Sequence, residues 1–331
     1  DITGQLRFVA NWIGHSVSRC RLYVAEVNEA GEPGKETTNP KIAALAAGPL
    51  GTGPAKAEAL RVAAINLYVP GECYIVAESA SGPGSEDRGF VVSGRQIRHS
   101  GGQITIRRPQ QHGGGEMLYR EGVDLIIRAW TPHPADSDQA DSPTRSALPY
   151  LREIEVILKR EYAELDSRLT GAGLLPLPQG IDFPRGPDDP EGIAGFQQML
   201  QRAMATSLGD RSSAEAMVPI MFTVPPEYVD KIKPIFFWSD LSDQLIPLKD
   251  SAIKSTAQSL DIPVEVLLGE GEANHWSAWL VSSSAINVHV SPILSRIADP
   301  LTSGWLRSAL EDMGEDPDSH VYAFDTGALV A

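Results

Sequence analysis

Apolar and polar positions change rhythm several times along this chain. Leu6, Phe8 and Ala10 alternate with Arg7, Val9 and Asn11, the period of a strand, and residues 21–27 resume it, so residues 5–27 are expected to be extended. Residues 31–40 are a loop by composition. Over residues 55–68 the period lengthens: Leu60, Ala63, Ala64 and Leu67 share one helical face, and Pro70-Gly71 stops the helix. Residues 73–77 then read as a buried strand. Residues 90–92, 103–106 and 124–127 are short strands between glycine-rich turns, which makes residues 79–127 β-rich, with a mobile loop at 112–115.

The clearest element follows Ser142-Pro143, an N-cap residue with proline at the first helical position. Leu151, Ile154, Leu158, Tyr162, Leu165 and Leu169 recur at intervals of three and four, which predicts a long amphipathic helix over about 144–169, capped by Gly171. So narrow a stripe suits a helix packed among neighbours in a bundle or ring, and equally a helix lying on its own domain. An extended piece at 174–178, a proline-rich loop at 183–189 and a helix over 193–208 come next. A strand at 218–224, an apolar run at 235–238 and a helix over about 248–260 follow. The last helical stretch, 273–313, contains Pro292 and Pro300; each removes a backbone donor, so the helix must be kinked or split there.

Composition narrows the function classes. The 331 residues carry 43 acids against 28 bases, a net charge of -15, with 42% hydrophobic residues. That excludes a mainly disordered chain and argues against a protein gripping nucleic acid over its whole surface, which needs positive charge. No apolar run reaches the roughly 18 residues of a membrane span, so no membrane partner is expected. Cys20 and Cys73 form no metal pattern and read as small apolar residues in a reducing compartment. The chain starts at Asp1 and reads as the ordered part of a longer product. Its most basic stretch holds Arg95, Arg98, Arg107, Arg108, Arg120 and Arg128, either solvated charge guarding sheet edges or a site for an acidic partner.

Catalytic patterns are missing. Gly14-His15-Ser16-Val17-Ser18 approaches a nucleophile elbow but lacks its closing glycine. Residues 48–53 have glycines without the Gly-Lys-Ser/Thr of a phosphate loop, and no His-Glu-x-x-His occurs. His275 and His289 read as packed or capping side chains, and the pairs Glu270/Glu272 and Asp240/Asp243 are cheap in so acidic a chain. No nucleophile, base and orienting partner come together, so no catalytic, cofactor or metal residue is expected and an enzyme is the minority reading.

Three stretches resemble the portal proteins of tailed bacteriophages, especially those of siphophages infecting actinobacteria. The first runs from Glu58-Ala59-Leu60-Arg61 through Pro70-Gly71-Glu72-Cys73-Tyr74-Ile75. The second is Ile127-Arg128-Ala129-Trp130-Thr131-Pro132-His133-Pro134, leading through Ala140-Asp141-Ser142-Pro143 into the long helix. The third is Leu260-Asp261-Ile262-Pro263 through Leu268-Gly269, followed by Ala273-Asn274-His275-Trp276. Their order and spacing carry the likeness more than any one of them.

The resemblance implies an α+β portal-type fold with β-rich wing and clip, a long stem helix and a kinked C-terminal tunnel helix. On that template residues 1–57 and 171–272 are wing, 58–78 lead into stem and clip, and 79–141 are clip-like. Residues 142–170 are the stem helix, 273–313 the tunnel-side helix, and 314–331 the start of a crown or tail. The implied function is a ring of twelve copies at one capsid vertex through which double-stranded DNA enters and leaves. Implied partners are other copies, the terminase large subunit, a head–tail adaptor and the major capsid protein, with DNA weakly bound. Leu151, Ile154, Leu158, Tyr162 and Leu165 would pack the stem; Arg95, Arg98, Arg107 and Arg108 would meet clip partners; Arg202, Arg211 and Lys254 are channel candidates. Another head–tail adaptor or minor capsid protein, or a cytosolic α/β enzyme, are the alternatives.

Overall fold

A computed structural model describes residues 4–80, 88–166, 174–178, 220–225, 227, 242–268 and 286–330. The chain forms two compact units, one of residues 1–151 with 253–331 and one of residues 152–252.

The first unit opens on a helix, α1 (Gly4–Arg19), where strand was expected. Leu6, Val9, Ala10, Ile13 and Val17 are its buried residues, spaced three and four apart. The short alternation of Leu6, Phe8 and Ala10 matched a strand only because Val9 was counted as facing away, whereas Val9 is fully buried and Phe8 is 50% exposed. α1 packs on α3 (Gly53–Tyr68), close enough that a methyl group on Gly14 would lie 2.9 Å from Ile65. Between them run β1 (Arg21–Val27), β2 (Pro33–Glu36) and α2 (Pro40–Ala44), then a 3₁₀ turn at Leu45–Leu50. α3 buries Leu60, Ala63, Ala64 and Leu67, the face its sequence predicts.

The central sheet has the order β4-β3-β8, from β3 (Glu72–Glu78), β4 (Arg88–Val92) and β8 (Leu125–Trp130). Both faces of this sheet are covered. Cys73, Ile75, Val91, Ile127 and Ala129 join the main core with α1 and α3. Val76, Phe90 and Val92 face the other way and meet Ile106 and Met117. Those last two belong to a small antiparallel sheet, β5 (Ile97–Ser100), β6 (Gln103–Arg107) and β7 (Glu116–Leu118). A hairpin, β9 (Pro132–His133) and β10 (Asp136–Ala140), then leads into α4 (Pro143–Asp166), which begins at the expected proline.

The rest of the described helices and the last strand follow, the second half of α5 and all after it belonging to this unit. α5 (Ser242–Ser259) starts before its expected position near Leu248, carrying Pro247 inside the helix. Its end is closed by Ile262 N–H donating to Ala257 O at 3.1 Å, with Asp261 in the left-handed region at φ 52°. A one-turn helix, α6 (Val264–Leu268), follows. From Ile286 the last helical stretch alternates between two windings: π turns at Ile286–Val290 and Thr302–Leu306 flank α7 (Ser291–Leu301), and α8 (Arg307–Asp312) ends it. Pro292 sits in the first turn of α7, and Pro300 just before the second π turn, where widening of the helix absorbs the missing donor. β13 (His320–Asp325) then returns to pair antiparallel with β1, Arg21 opposite Asp325, and α9 (Gly327–Val330) follows.

In the second unit, α4 beyond Leu151 buries Ile154 and Ile157, and α5 up to Ala252 buries Leu245 and Ala252. Lys249 and Glu161 join the two helices at 2.9 Å. β11 (Leu174–Pro178) and β12 (Ile220–Val224) pair in parallel there. The expected loop at 183–189, helix at 193–208, apolar run at 235–238 and cap at Gly171 lie outside the described residues, as does the start of the 273–313 helix.

Candidate assembly surfaces

Three of the six arginines in the basic stretch hold structure together. Asp124, its side chain fully buried, accepts at Oδ1 from Ser79 N at 3.1 Å and Arg120 Nη2 at 2.6 Å, and at Oδ2 from the Arg120 N and Nε at 2.9 Å. The Arg120 bonds hold the Asp124 carboxyl below the usual carboxylate range. Arg108 Nε donates to Glu78 Oε2 at 2.8 Å, and the same pairing keeps Glu78 ionised to lower pH. Arg128 donates to Glu72 at 2.9 Å and lies 4.6 Å from the Trp130 ring centre, while Trp130 Nε1 donates to Ser137 O at 2.9 Å. That cluster fixes the turn out of β8 into the β9–β10 hairpin.

Three arginines remain at the surface. Arg95, Arg98 and Arg107 are exposed, and only Arg98 pairs with a described carboxylate, Glu116 at 3.5 Å. The β5–β6–β7 register places Arg98, Thr105 and Leu118 in one row and Arg107 opposite Glu116 in the next. Ile97, Ile106 and Met117 point the other way, toward the core face. Leu118 is therefore a 52%-exposed apolar residue among arginines. At the Arg107–Glu116 end of this sheet lies a cavity of about 350 Å³ lined by Gln96, Arg107, Arg108, Gln110 and Glu116. Gln96 is held there by Ser93 and donates to Arg107 O at 3.1 Å. The whole of this sheet sits in the first unit with the N-terminal helix.

The α4 stripe divides along its length. Leu151 and Ile154 are buried and Leu158 is half-buried, but Tyr162 is 66% exposed, and Val156 63%. The Leu165 side chain lies outside the described residues. Lys254 is exposed on α5, and Arg202 and Arg211 lie outside the described residues, so no two of these three channel candidates are seen together. Ser16 lies within α1 and its hydroxyl donates to Trp12 O at 2.9 Å, a helical back-bond rather than a nucleophile elbow. Among the described residues no His, Cys, Asp and Glu side chains cluster as a metal site, and no helix is long and apolar enough to cross a membrane.

No protein-family model matches the sequence, and no curated protein does. Solved structures do. A phage portal protein of the HK97 family from Corynebacterium diphtheriae superposes with a TM-score of 0.53 at 14% identity, covering 99% of this chain and 94% of that one. The fold is that of an HK97-family portal protein. A chain in the neck of the native gene transfer agent particle, computed with C12 symmetry, has the portal fold in common with this one at a TM-score of 0.59 and 16% identity, over 98% of this chain and 81% of that one. One in the neck of the empty particle, computed with C6 symmetry, gives 0.58 at 17% identity, over 97% and 80%. The α+β portal-type fold expected from the three sequence stretches is thus the observed one, and what those stretches build can be followed: the helix–turn–strand of α3 and β3, the β8-to-α4 corner, and the α5–α6 step at Pro263.

Proposed function

We propose that this chain is a portal subunit of a tailed phage or phage-like particle, assembling as a ring, of twelve copies, at one vertex of the capsid. The observation that supports the reading is coverage: the likeness to an HK97-family portal protein extends over 99% of this chain. The ring is the conduit for double-stranded DNA during packaging and ejection. The terminase large subunit and a head–tail adaptor dock on it, and the major capsid protein surrounds it. The role is structural, with energy for packaging supplied by the separate motor.

Within this reading α4 and α5 are the stem. Residues 79–141, clip-like by sequence resemblance, share a core with α1 and α3 and are better assigned to the wing. The strand at 320–325, taken from the resemblance as near the start of a crown, pairs with β1 and is assigned to the wing as well.

Charge supports a conduit rather than a clamp. Every phosphate neutralised tightly would have to be released as the duplex slides, and six to ten such contacts create large, salt-sensitive affinity. Twelve copies of a chain at -15 make a ring of roughly -180 before counter-ions. Lys254, Arg202 and Arg211 are the cations to substitute in testing for passing contact with the duplex. Electron microscopy of the purified protein is the test. Twelve-fold annuli with a central hole are expected, binding duplex DNA weakly at about 0.15 M salt. A monomer, or a closed cluster without a lumen, overturns the proposal; tight, saturable DNA binding overturns the conduit.

A further inference from the structure

Among the described residues nothing covers Leu118 on the outer face of the β5–β6–β7 sheet, and the chemistry of that face is specific. Leu118 stands half in solvent, Arg98 and Arg107 flank it, Arg95 lies at the 3₁₀ turn Gly94–Gln96 beside them, and the cavity lined by Arg107 and Gln96 opens at the Arg107–Glu116 end of the sheet. Arg107 has no carboxylate among the described residues. The face suits an apolar knob set among carboxylates. A duplex would suit it poorly, because phosphates do not fill the apolar contact at Leu118.

The same chain carries such a knob. After α8, Gly314 at φ 77° turns the chain, and Glu315 N–H donates to Leu310 O at 3.0 Å. This turn presents Met313, 38% exposed, between Glu311, Asp312, Glu315 and Asp316, all exposed. Arg307 answers only Asp318, at 2.6 Å. Knob and face are different surfaces of one unit, so their pairing between copies is head-to-tail, the contact type that closes into rings.

We propose that the β5–β6–β7 face of one copy receives the acidic turn at Met313 of the next. Met313 contacts Leu118, and Glu311, Asp312 and Glu315 meet Arg98 and Arg107. This contact rests on the ring reading and names a surface that closes it. An acidic chain repels its own copies, and concentrating opposite charge in one place sets the register in which copies meet.

The test is a charge exchange. One variant carries Arg98→Glu with Arg107→Glu, the other Asp312→Lys with Glu315→Lys, both folded by circular dichroism and sized by mass photometry at about 0.15 M salt. Each alone is expected to stay smaller than a ring, and mixing them restores rings, since each reversed surface then meets its reversed complement. Leu118→Ser is the milder variant, should the double charge change prevent folding; it is expected to raise the concentration needed for rings about tenfold or more. Wild-type-like rings from either charge variant alone, or no recovery on mixing, overturn the contact and leave the ring standing. A wild-type protein that forms no ring overturns the ring reading itself.

Discussion

The central sheet and the far half of α4 solve the same problem in opposite ways. β3, β4 and β8 alternate apolar residues to two faces, and both faces are filled from within the chain: α1 and α3 on one side, β5, β6 and β7 on the other. Phe90 is 1% exposed and Ile75 fully buried. Beyond Ile157, α4 keeps the same apolar spacing yet leaves Tyr162 mostly in solvent. The sheet is complete as a single chain. The helix carries apolar surface that the single chain leaves exposed.

That contrast can be broken at four points, taken from the largest expected change in stability to the smallest. Phe90→Ala empties the contact between the two sheets and should cost about 3–5 kcal/mol in urea denaturation, whether or not copies assemble. Asp124→Asn keeps the shape but removes the ion pair that fastens Ser79 and Arg120, and should cost about 1–3 kcal/mol at neutral pH. Because the folded-state pKa of Asp124 is depressed, its contribution is whole above the ordinary aspartate value of about 4 and is lost as pH falls through the folded value. Wild type and Asp124→Asn should therefore converge in stability on acidification; a gap that persists at low pH would mean packing, not charge, sets it. Asp261→Gly relieves a left-handed residue that carries a side chain and should gain about 0.5–1 kcal/mol. Tyr162→Asp should leave the stability of the single chain within about 0.5 kcal/mol while reducing assemblies to smaller species on sizing columns. If it instead unfolds the chain, α4 is completed internally and the contrast fails.

Much of the fold is legible from local pattern. α3, β3, β4, β6, β8 and the start of α4 declare themselves because each is bounded by Pro or Gly and carries several turns or pleats of one period. α1 does not, since six residues of alternation fit a strand until Ile13 and Val17 extend the series to the helical interval. α5 hides its first turns behind Pro247, which reads as a boundary but is accommodated within the helix. The arginines were legible only as charge. Which are fastened, like Arg108, Arg120 and Arg128, and which have no carboxylate among the described residues, like Arg107, depends on carboxylates up to 56 residues distant, and spacing alone does not reveal that. The proline positions in the last helix were legible as interruptions, but not their form, since widening into a π turn needs the neighbouring packing to select it over a break.

The pairing of β1 with β13 bears on how this polypeptide is made. Arg21 meets Asp325 across a sequence gap of roughly 300 residues, which at ~5–20 residues per second of synthesis is about 15–60 s. Through that interval β1 emerges from the ribosome with one edge bare, and a bare edge is a template for the wrong strand. Only a chain synthesised past residue 325 can close the N-terminal sheet, so nascent copies that gather early do so with that sheet open, and slow translation lengthens the hazard.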